Sequence, residues 1–592
     1  MVDSELFRPS LGAVVADEGV RFTVWSPANE SVELLIEGSG EALALERESS
    51  GFHSLEVEGS GAGARYRYRV GQAVMPDPAS RYQPEGVHGP SQVVDPASYT
   101  WRNGQPEVAG SGVIYELHLG TFTPEGTFTA ACERLPYLAE LGVDTIELMP
   151  VHDFPGRWNW GYDPASFFAP SRAYGTPDEL RCLVDDAHGL GMRVLCDVVY
   201  NHFGPDGAYW PAFDPNTFTD RHRTPWGDAI DYDGPSSAGV RRFVLENALM
   251  WLSEYRFDGL RLDATFAIID DSHCHLLTEL AGLVARLPGP ARLLIAEDPR
   301  NTRNLLVSRD AGGTGLGGVW ADDFHHQIRS RIAGDDRSYF GDFCGSSREI
   351  AETINHSWFY RGHHSRHHGR PRGTGTAGLP ANLFVYCIQN HDQVGNRPDG
   401  ARLNHEVSPA AYRAASALLL FAPQTPLLFM GQEWAASTPF YYFTDHQGEL
   451  GALVSEGRRE EFADFEFGDE VPDPQDEKTF RRSRLAWEEL ERPPHAATLR
   501  YYRRLLSLRR ELEGGVDVVQ VLPAGLALRR GRHLLLVAFE SGAEFQLPGE
   551  ARVLLDSEDP EYEADPAAPL LQHRRARFER AGALLLELSE SP

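Results

Sequence analysis

A single lysine, Lys478, stands in this chain of 592 residues. Chemistry that needs a lysine ammonium must use that one residue, so Schiff-base catalysis, a Walker-type phosphate loop and Ser-Lys nucleophiles are close to excluded. The six cysteines, at 132, 182, 196, 274, 344 and 387, form no CxxC pair and no short regular spacing. They read as scattered buried thiols, not as a zinc site or a disulfide framework. No window approaches the ~18 consecutive apolar residues of a membrane span. The acidic opening Met1-Val2-Asp3-Ser4-Glu5 lacks the basic-then-apolar pattern of a signal peptide. Basic charge is also short: 55 basic against 86 acidic residues leave a net charge of −31, which repels phosphate backbones. These absences point to a cytoplasmic protein with neither a membrane nor a nucleic-acid partner.

What is present is the ordinary composition of a globular enzyme, with length for two to four domains and a large core. Residues 1–105 read as an all-β module. Short runs such as 20–25 and 32–36 lie between Gly, Pro and Asn signals, and 65–70 alternates strictly, as in a small sandwich. From about 110 the pattern becomes strand, loop, helix, repeated. Strands are expected at 113–117, 145–149, 193–199, 259–263, 292–296, 319–321, 384–388 and 427–429. Helical periodicity falls between them at 177–190, 240–255 and 410–421. Eight apolar strands separated by helices predict a (β/α)8 barrel over 106–513, with insertions at 201–238 and 335–380. A helix at 498–512 closes the barrel region. The text then returns to β at 516–522, 533–539, 551–555 and 583–588, so 514–592 is expected to form a second small sandwich.

In a barrel the catalytic groups sit where strands end and loops begin. The third strand ends Asp197-Val198-Val199-Tyr200-Asn201-His202 and the fourth Gly259-Leu260-Arg261-Leu262-Asp263-Ala264. The fifth ends Leu294-Ile295-Ala296-Glu297-Asp298, and the seventh Gln389-Asn390-His391-Asp392-Gln393. One such carboxylate alone is more often a helix cap or a surface ion pair. Four at equivalent barrel positions are not explained that way. These segments resemble the signature regions of the α-amylase superfamily of glycoside hydrolases, and the domain order matches over 1–592.

Retaining hydrolysis of a glycosidic bond needs one carboxylate to attack the anomeric carbon and another acid ~5–5.5 Å away to protonate the leaving oxygen. The resemblance implies Asp263 as nucleophile, Glu297 as general acid/base and Asp392 as the third acid that grips sugar hydroxyls. It further implies His202 and His391 as hydrogen-bond partners of the sugar, Tyr162 as its stacking platform, and Asp197 as a support for Arg261. Arg261 lies two residues before Asp263, hence on the same side of the strand. In the same loop as Tyr162, Trp158 and Trp160 are either further platforms or plugs beneath it.

The sixth strand ends Val319-Trp320-Ala321-Asp322-Asp323-Phe324-His325-His326. After the eighth come Gly431-Gln432-Glu433-Trp434, Pro439-Phe440-Tyr441-Tyr442-Phe443-Thr444-Asp445-His446 and Gly457-Arg458-Arg459-Glu460-Glu461-Phe462. This set is similar to the trehalohydrolase branch of the superfamily. The similarity implies hydrolysis of the α-1,4 bond joining a maltooligosaccharide to a terminal trehalose. Maltooligosyl trehalose and trehalose are then ligands, with a maltooligosyl trehalose synthase as pathway neighbour. Asp323, Phe324, His325 and Glu433 are the candidates for trehalose-side recognition. A 1,4-α-glucan branching enzyme and a non-catalytic glucan-binding protein are the competing readings.

Three further patterns carry little. Gly313-Thr314-Gly315-Leu316-Gly317-Gly318 satisfies GxGxxG but precedes a strand instead of following one. The run Arg361-Gly362-His363-His364-Ser365-Arg366-His367-His368 lacks supporting carboxylates and reads as a solvated or substrate-facing loop. His273-Cys274-His275 is placed in a helix, where such neighbours do not face one site. Many superfamily members bind calcium near the residue matching Asn201. The loop here offers Asp206, Asp214 and Asp228 without calcium-loop spacing, and no metal or cofactor is expected.

Overall fold

The computed structural model describes residues 9–107, 112–462 and 471–589; the acidic opening 1–5 lies outside them. Eight parallel strands close into a barrel: β1 (Ile114–Leu117), β2 (Thr145–Leu148), β3 (Arg193–Val198), β4 (Gly259–Leu262), β5 (Leu293–Ala296), β6 (Gly318–Trp320), β7 (Phe384–Tyr386) and β8 (Thr425–Phe429). β8 pairs back onto β1, with Leu427 opposite Ile114. Each strand lies within two residues of its expected place. Their apolar runs reflect burial on both faces, towards the barrel axis and under the helical ring.

Alternation along these strands builds the site. Ile114, Leu195 and Ile295 belong to an apolar plug inside the barrel, with Val385 and Leu427. Two residues further along the same strands stand Glu116, Asp197 and Glu297, again on the inner side. The barrel is therefore greasy at the bottom and charged at the rim where the strands end.

The expected helices are present as Pro177–Gly189, Ala238–Glu254, Pro409–Phe421 and His495–Arg509. The first starts on a reciprocal cap between Thr176 and Glu179 with proline in the first turn, which satisfies otherwise orphaned N–H groups. Before the barrel, two antiparallel sheets within 12–92 pack around Val20, Phe22, Leu34, Tyr66 and Tyr68. After it, a five-stranded and a three-stranded sheet within 517–588 enclose Leu534, Leu536, Phe545 and Leu584. The latter dock on the helix Pro409–Phe421 through buried Arg413, which pairs with Glu558 at 2.7 Å and Glu563 at 2.6 Å.

Both long insertions contain secondary structure. Segment 201–238 carries a short helix, Trp210–Phe213, and a hairpin of Phe218–Thr224 with Gly227–Ile230. Segment 335–380 carries the helix Ser347–His356 and the His/Arg-rich hairpin of Arg361–Ser365 with Arg370–Gly373. Gly318 opens β6, so the glycine run leads into a strand as expected.

Two expectations are corrected. His273-Cys274-His275 is not helical: the helix begins at Leu276, and His275 caps it by accepting from Leu277 N–H. Cys196 and Cys387 are buried, but Cys132 and Cys182 are half-buried and Cys274 and Cys344 exposed.

Candidate active site

Arg261 organises the floor of the site. Its guanidinium is fully buried and touches three carboxylates: Asp197 at 2.8 Å, Asp263 at 2.7 Å and Glu297 at 3.0 Å. One planar group thus holds the ends of β3, β4 and β5 together. Glu297 also accepts from the Ala264 backbone N–H at 2.8 Å. Ala264 sits at φ 40°, in the left-handed region. That conformation costs a non-glycine residue roughly 1–3 kcal/mol and here turns the amide next to Asp263 towards Glu297.

Burial pushes the Glu297 carboxyl well above the ordinary carboxylate range; Arg261 opposes the shift, and Asp263 and Asp392 reinforce it. Glu297 therefore keeps a proton beside a neighbour whose partner is a fixed cation, which is the division of labour a retaining glycosidase requires. Burial likewise carries Asp197 up to about 7 against Arg261, and Tyr162 donates its hydroxyl to Asp197 at 2.5 Å.

Above this floor lies a cavity of about 530 Å³ lined by Asp263, Glu297, Asp392, His202, His391 and Tyr162 among others. Tyr162 and His391 stack with ring centroids 5.1 Å apart, and Arg261 lies 5.8 Å beneath the Tyr162 ring. His202 accepts the ring of Trp226 at 4.6 Å and 3° between planes. Trp226, at the tip of the 218–230 hairpin, is 48% exposed and lines the cavity. Of the two other tryptophans near Tyr162, Trp158 is a plug stacked on Phe480, whereas Trp160 is buried on Phe440 yet reaches the cavity wall. The helix Gly448–Glu461 closes one side. Its Arg458 lies over Tyr442 at 5.1 Å and donates to Gly395 O at 2.6 Å.

A second lobe of about 900 Å³ continues past Asp392, Asn396 and Glu461, which line both spaces. Its walls are the 334–340 segment after β6 and the 393–399 segment after β7. The four residues expected on this side do not line either space. Phe324 is fully buried and stacks on Tyr386 at 4.4 Å. Asp323 is fully buried and accepts from Asn301 and from the backbone N–H groups of Phe359 and Tyr360. His325 is buried against His326 and Phe340. Glu433 accepts from the hydroxyls of Tyr115 and Tyr137. Tyr115 points away from the barrel axis, the opposite side from Glu116, so Glu433 lies behind the strand wall. These residues are buried and brace the loops, and none of them opens onto either space. Asp322, the residue before Asp323, is half-buried and lines neither space; burial and Asp392 raise it to about 6.

The oxygen donors near Asn201 do not converge as a cation site. Asp206 pairs with His88, Asp214 accepts from Trp25, and Asp228 pairs with Arg223. Among the described residues, two groups bring three possible ligands together, Cys132 with Cys182 and Asp186, and His222 with Asp233 and Asp271. In each an arginine already occupies a carboxylate, Arg102 on Asp186 and Arg221 on Asp233. The exposed hairpin 361–373 brings its histidines into neither group.

Sequence reasoning missed Trp226, Phe266, Asn396 and Glu116. Only Glu116 left a signal, since it is a carboxylate at a strand end, followed by Leu117 and His118, like the four segments singled out.

Comparison with known proteins follows the same lines. The alpha amylase catalytic-domain family model matches residues 93–221, and that of carbohydrate-binding module 48, the isoamylase N-terminal domain, matches 10–82. A crystal structure from Salmonella typhimurium, assigned by name to the alpha amylases, superposes with a TM-score of 0.90 at 38% identity, covering 98% of this chain and 100% of that one. A group B streptococcal pullulanase shares the fold with a TM-score of 0.73 at 18% identity, covering 99% of this chain and 88% of that one. Fold and site define a glycoside hydrolase of the α-amylase class. A malto-oligosyltrehalose trehalohydrolase of Deinococcus radiodurans is 47% identical, covering 85% of this chain and 83% of its own length. One from Saccharolobus solfataricus is 39% identical over 85% and 87%. This chain belongs to the malto-oligosyltrehalose trehalohydrolase family. Among the described residues no helix is long and apolar enough to cross a membrane.

Proposed function

We propose that the chain hydrolyses the α-1,4-glucosidic bond next to the terminal trehalose of maltooligosyl trehalose, releasing trehalose and a maltooligosaccharide. Asp263 attacks the anomeric carbon while the bond to the leaving oxygen breaks, and Glu297 gives that oxygen its proton. Glu297, now a carboxylate, takes a proton from water, whose oxygen displaces Asp263 from the sugar and restores both groups. Asp392, His202 and His391 hold the sugar hydroxyls, Tyr162 supports the ring face, and Arg261 keeps Asp263 oriented. The observation that carries this reading is the bridge from one buried guanidinium to Asp263 and Glu297 on the floor of the cavity.

We assign the trehalose half to the larger lobe. One wall of that lobe follows β6, the strand next to the one that ends in Glu297, and this neighbourhood supports the assignment. Specificity would come from polar groups there that trehalose satisfies and maltose leaves unpaired. A cytoplasmic synthase would supply the trehalose-capped chain.

The test is product analysis by chromatography, with maltopentaose and its trehalose-capped counterpart supplied separately. Rapid release of free trehalose, with maltopentaose nearly untouched, is expected. Equal cleavage of the two, or new α-1,6 branches, would leave a glycosidase of another specificity.

A further inference from the structure

On the floor of the cavity β1 meets the segment after β7 through an ion pair that the reaction as drawn does not use. Glu116 accepts two hydrogen bonds from one residue, His391 Nδ1 at 2.5 Å and the His391 backbone N–H at 2.9 Å. Both side chains are 1% exposed. The imidazole is clamped on its other sides. Its face lies on Tyr162, Trp160 meets it at 5.5 Å and 86°, and Nε2 stands 3.5 Å from Asp392 Oδ1.

This arrangement fixes the protonation of the ring. With a carboxylate at Nδ1, that nitrogen must carry hydrogen. A neutral imidazole would then turn a bare Nε2 lone pair towards the Asp392 carboxylate, acceptor against acceptor. Only the imidazolium donates in both directions.

We propose that Glu116 is a positioning residue that holds His391 as an imidazolium with its Nε2–H aimed into the cavity, a charge-assisted donor for a sugar hydroxyl beside Asp392. The proposal rests on the glycosidase reading of the site.

The groups facing His391 from other elements agree with it. Glu116 on β1 and Asp197 on β3 favour the cation, as does Asp392 beside it; Arg261 on β4 opposes it. Burial works against the charge, but Glu116 and Asp392 outweigh it and carry His391 up to about 9. His118, the nearby imidazole after β1, is driven down to about 3 by burial and stays neutral.

Glu147 supplies an internal comparison. It sits opposite Glu116 in the β1–β2 register, and both its carboxyl oxygens are buried without a partner. Burial and Glu116 push it well above the ordinary range, so it is already neutral. An amide should replace it without consequence, whereas an amide at 116 removes the counter-ion.

The experiment compares full-length wild type, Glu116→Gln and Glu147→Gln by kcat/KM from pH 5 to 10, on whichever α-1,4-glucan the wild type cleaves. For Glu116→Gln a 10- to 100-fold loss at pH 7 is expected, in the range of a hydrogen bond to a charged group. Its alkaline limb should also move down by a pH unit or more, while Glu147→Gln retains the wild-type rate and limb. Coincident profiles for Glu116→Gln and wild type would overturn the proposal, and so would an equal loss in Glu147→Gln. Should Glu116→Gln not fold, nitrogen-15 NMR of histidine-labelled wild type decides, with His391 assigned through His391→Gln. Both ring nitrogens are expected to stay protonated at pH 7, and a neutral ring there would overturn the proposal. Failure to cleave a trehalose-capped chain would sink the substrate assignment alone, because the comparison on plain maltopentaose and the ring spectrum remain readable.

Discussion

Replacement of Glu297 by glutamine separates proton delivery from sugar positioning. The two donors that hold this side chain, Arg261 Nη2 at 3.0 Å and Ala264 N–H at 2.8 Å, both reach Oε2. A glutamine carbonyl oxygen can take that place and accept both bonds. The substitution then removes the proton donor and little else. General acid catalysis is worth about 10²- to 10⁴-fold, or roughly 3–5.5 kcal/mol of barrier, and that loss in kcat is expected on an oligosaccharide. A maltosyl fluoride is different, because fluoride departs without a proton. With that substrate the first bond cleavage in Glu297→Gln should run close to the wild-type rate. Turnover should then stall at the glycosyl-enzyme, because no base remains to activate water. A stopped-flow fluoride burst of about one equivalent per enzyme, followed by a slow phase, is the expected trace. Equal loss of both phases would mean that Glu297 positions sugar, and it would refute the acid/base assignment.

The same variant tests the electrostatics through stability. The carboxyl of Glu297 titrates well above its ordinary 4.5 in the folded protein, because burial disfavours its charge. Between those two values the native state binds more protons than the unfolded chain, so the wild type loses stability as pH rises. Glutamine has no such dependence. Thermal melts should therefore show the variant gaining on the wild type from pH 5 to pH 8, and a wild type that gains on the variant over that range would contradict the assigned direction.

Two further substitutions follow from the geometry. Arg261→Met leaves Asp197, Asp263 and Glu297 without their shared cation; a loss of about 3–5 kcal/mol in urea unfolding is expected, together with turnover, and wild-type stability would show the bridge to be dispensable. Trp226→Ala removes a half-exposed ring that stacks on His202. It should lower kcat/KM by roughly 2- to 10-fold, the 0.5–1.5 kcal/mol of one aromatic contact, with an unchanged melting temperature; an unaffected kcat/KM would remove Trp226 from the binding surface.

What the sequence revealed and what it hid follow from how local each signal is. The barrel was legible because the apolar runs 194–196 in β3 and 293–296 in β5 break into Asp197 and Glu297, a contrast that lies within a few neighbouring residues. The floor of the site was legible for the same reason. Arg261 lies on β4 and Asp263 directly past its end, and their inward alternation needs no tertiary knowledge. The side of the cavity beyond Asp392 was not. Asp322 and Asp323 are adjacent and chemically identical, and only the start of the helix Asp323–Ile332 turns the second away from the cleft and into backbone N–H groups. Phe324 and Glu433 look like recognition residues in the text, yet one fills the space against Tyr386 and the other is consumed by two tyrosine hydroxyls from β1 and the helix Leu135–Leu141. Trp226 left no trace, because its place over His202 depends on a hairpin whose strands carry no apolar alternation.

That hairpin also explains why a β-module precedes the barrel in this molecule. The 201–238 segment that bears His202 and Trp226 is pinned from outside by the module. Trp25 donates its indole N–H to Asp214 at 2.9 Å, Ser26 Oγ donates to Phe213 O at 3.2 Å, and Phe213 belongs to the core of the module beside Tyr68. The fit reaches the helix that follows. A Cβ on Gly239 would lie 2.2 Å from the Trp25 ring. Glycine normally weakens a helix by roughly 0.5–1 kcal/mol relative to alanine, so its presence in the first turn of Ala238–Glu254 is accounted for by the close approach of Trp25. The segment is thus held at one end by β3, at the other by a helix notched to receive Trp25, and in the middle by the module itself. A loop of this length left free would populate many conformations and would place Trp226 poorly. The module is therefore part of the architecture that fixes one wall of the cavity, whatever else it binds.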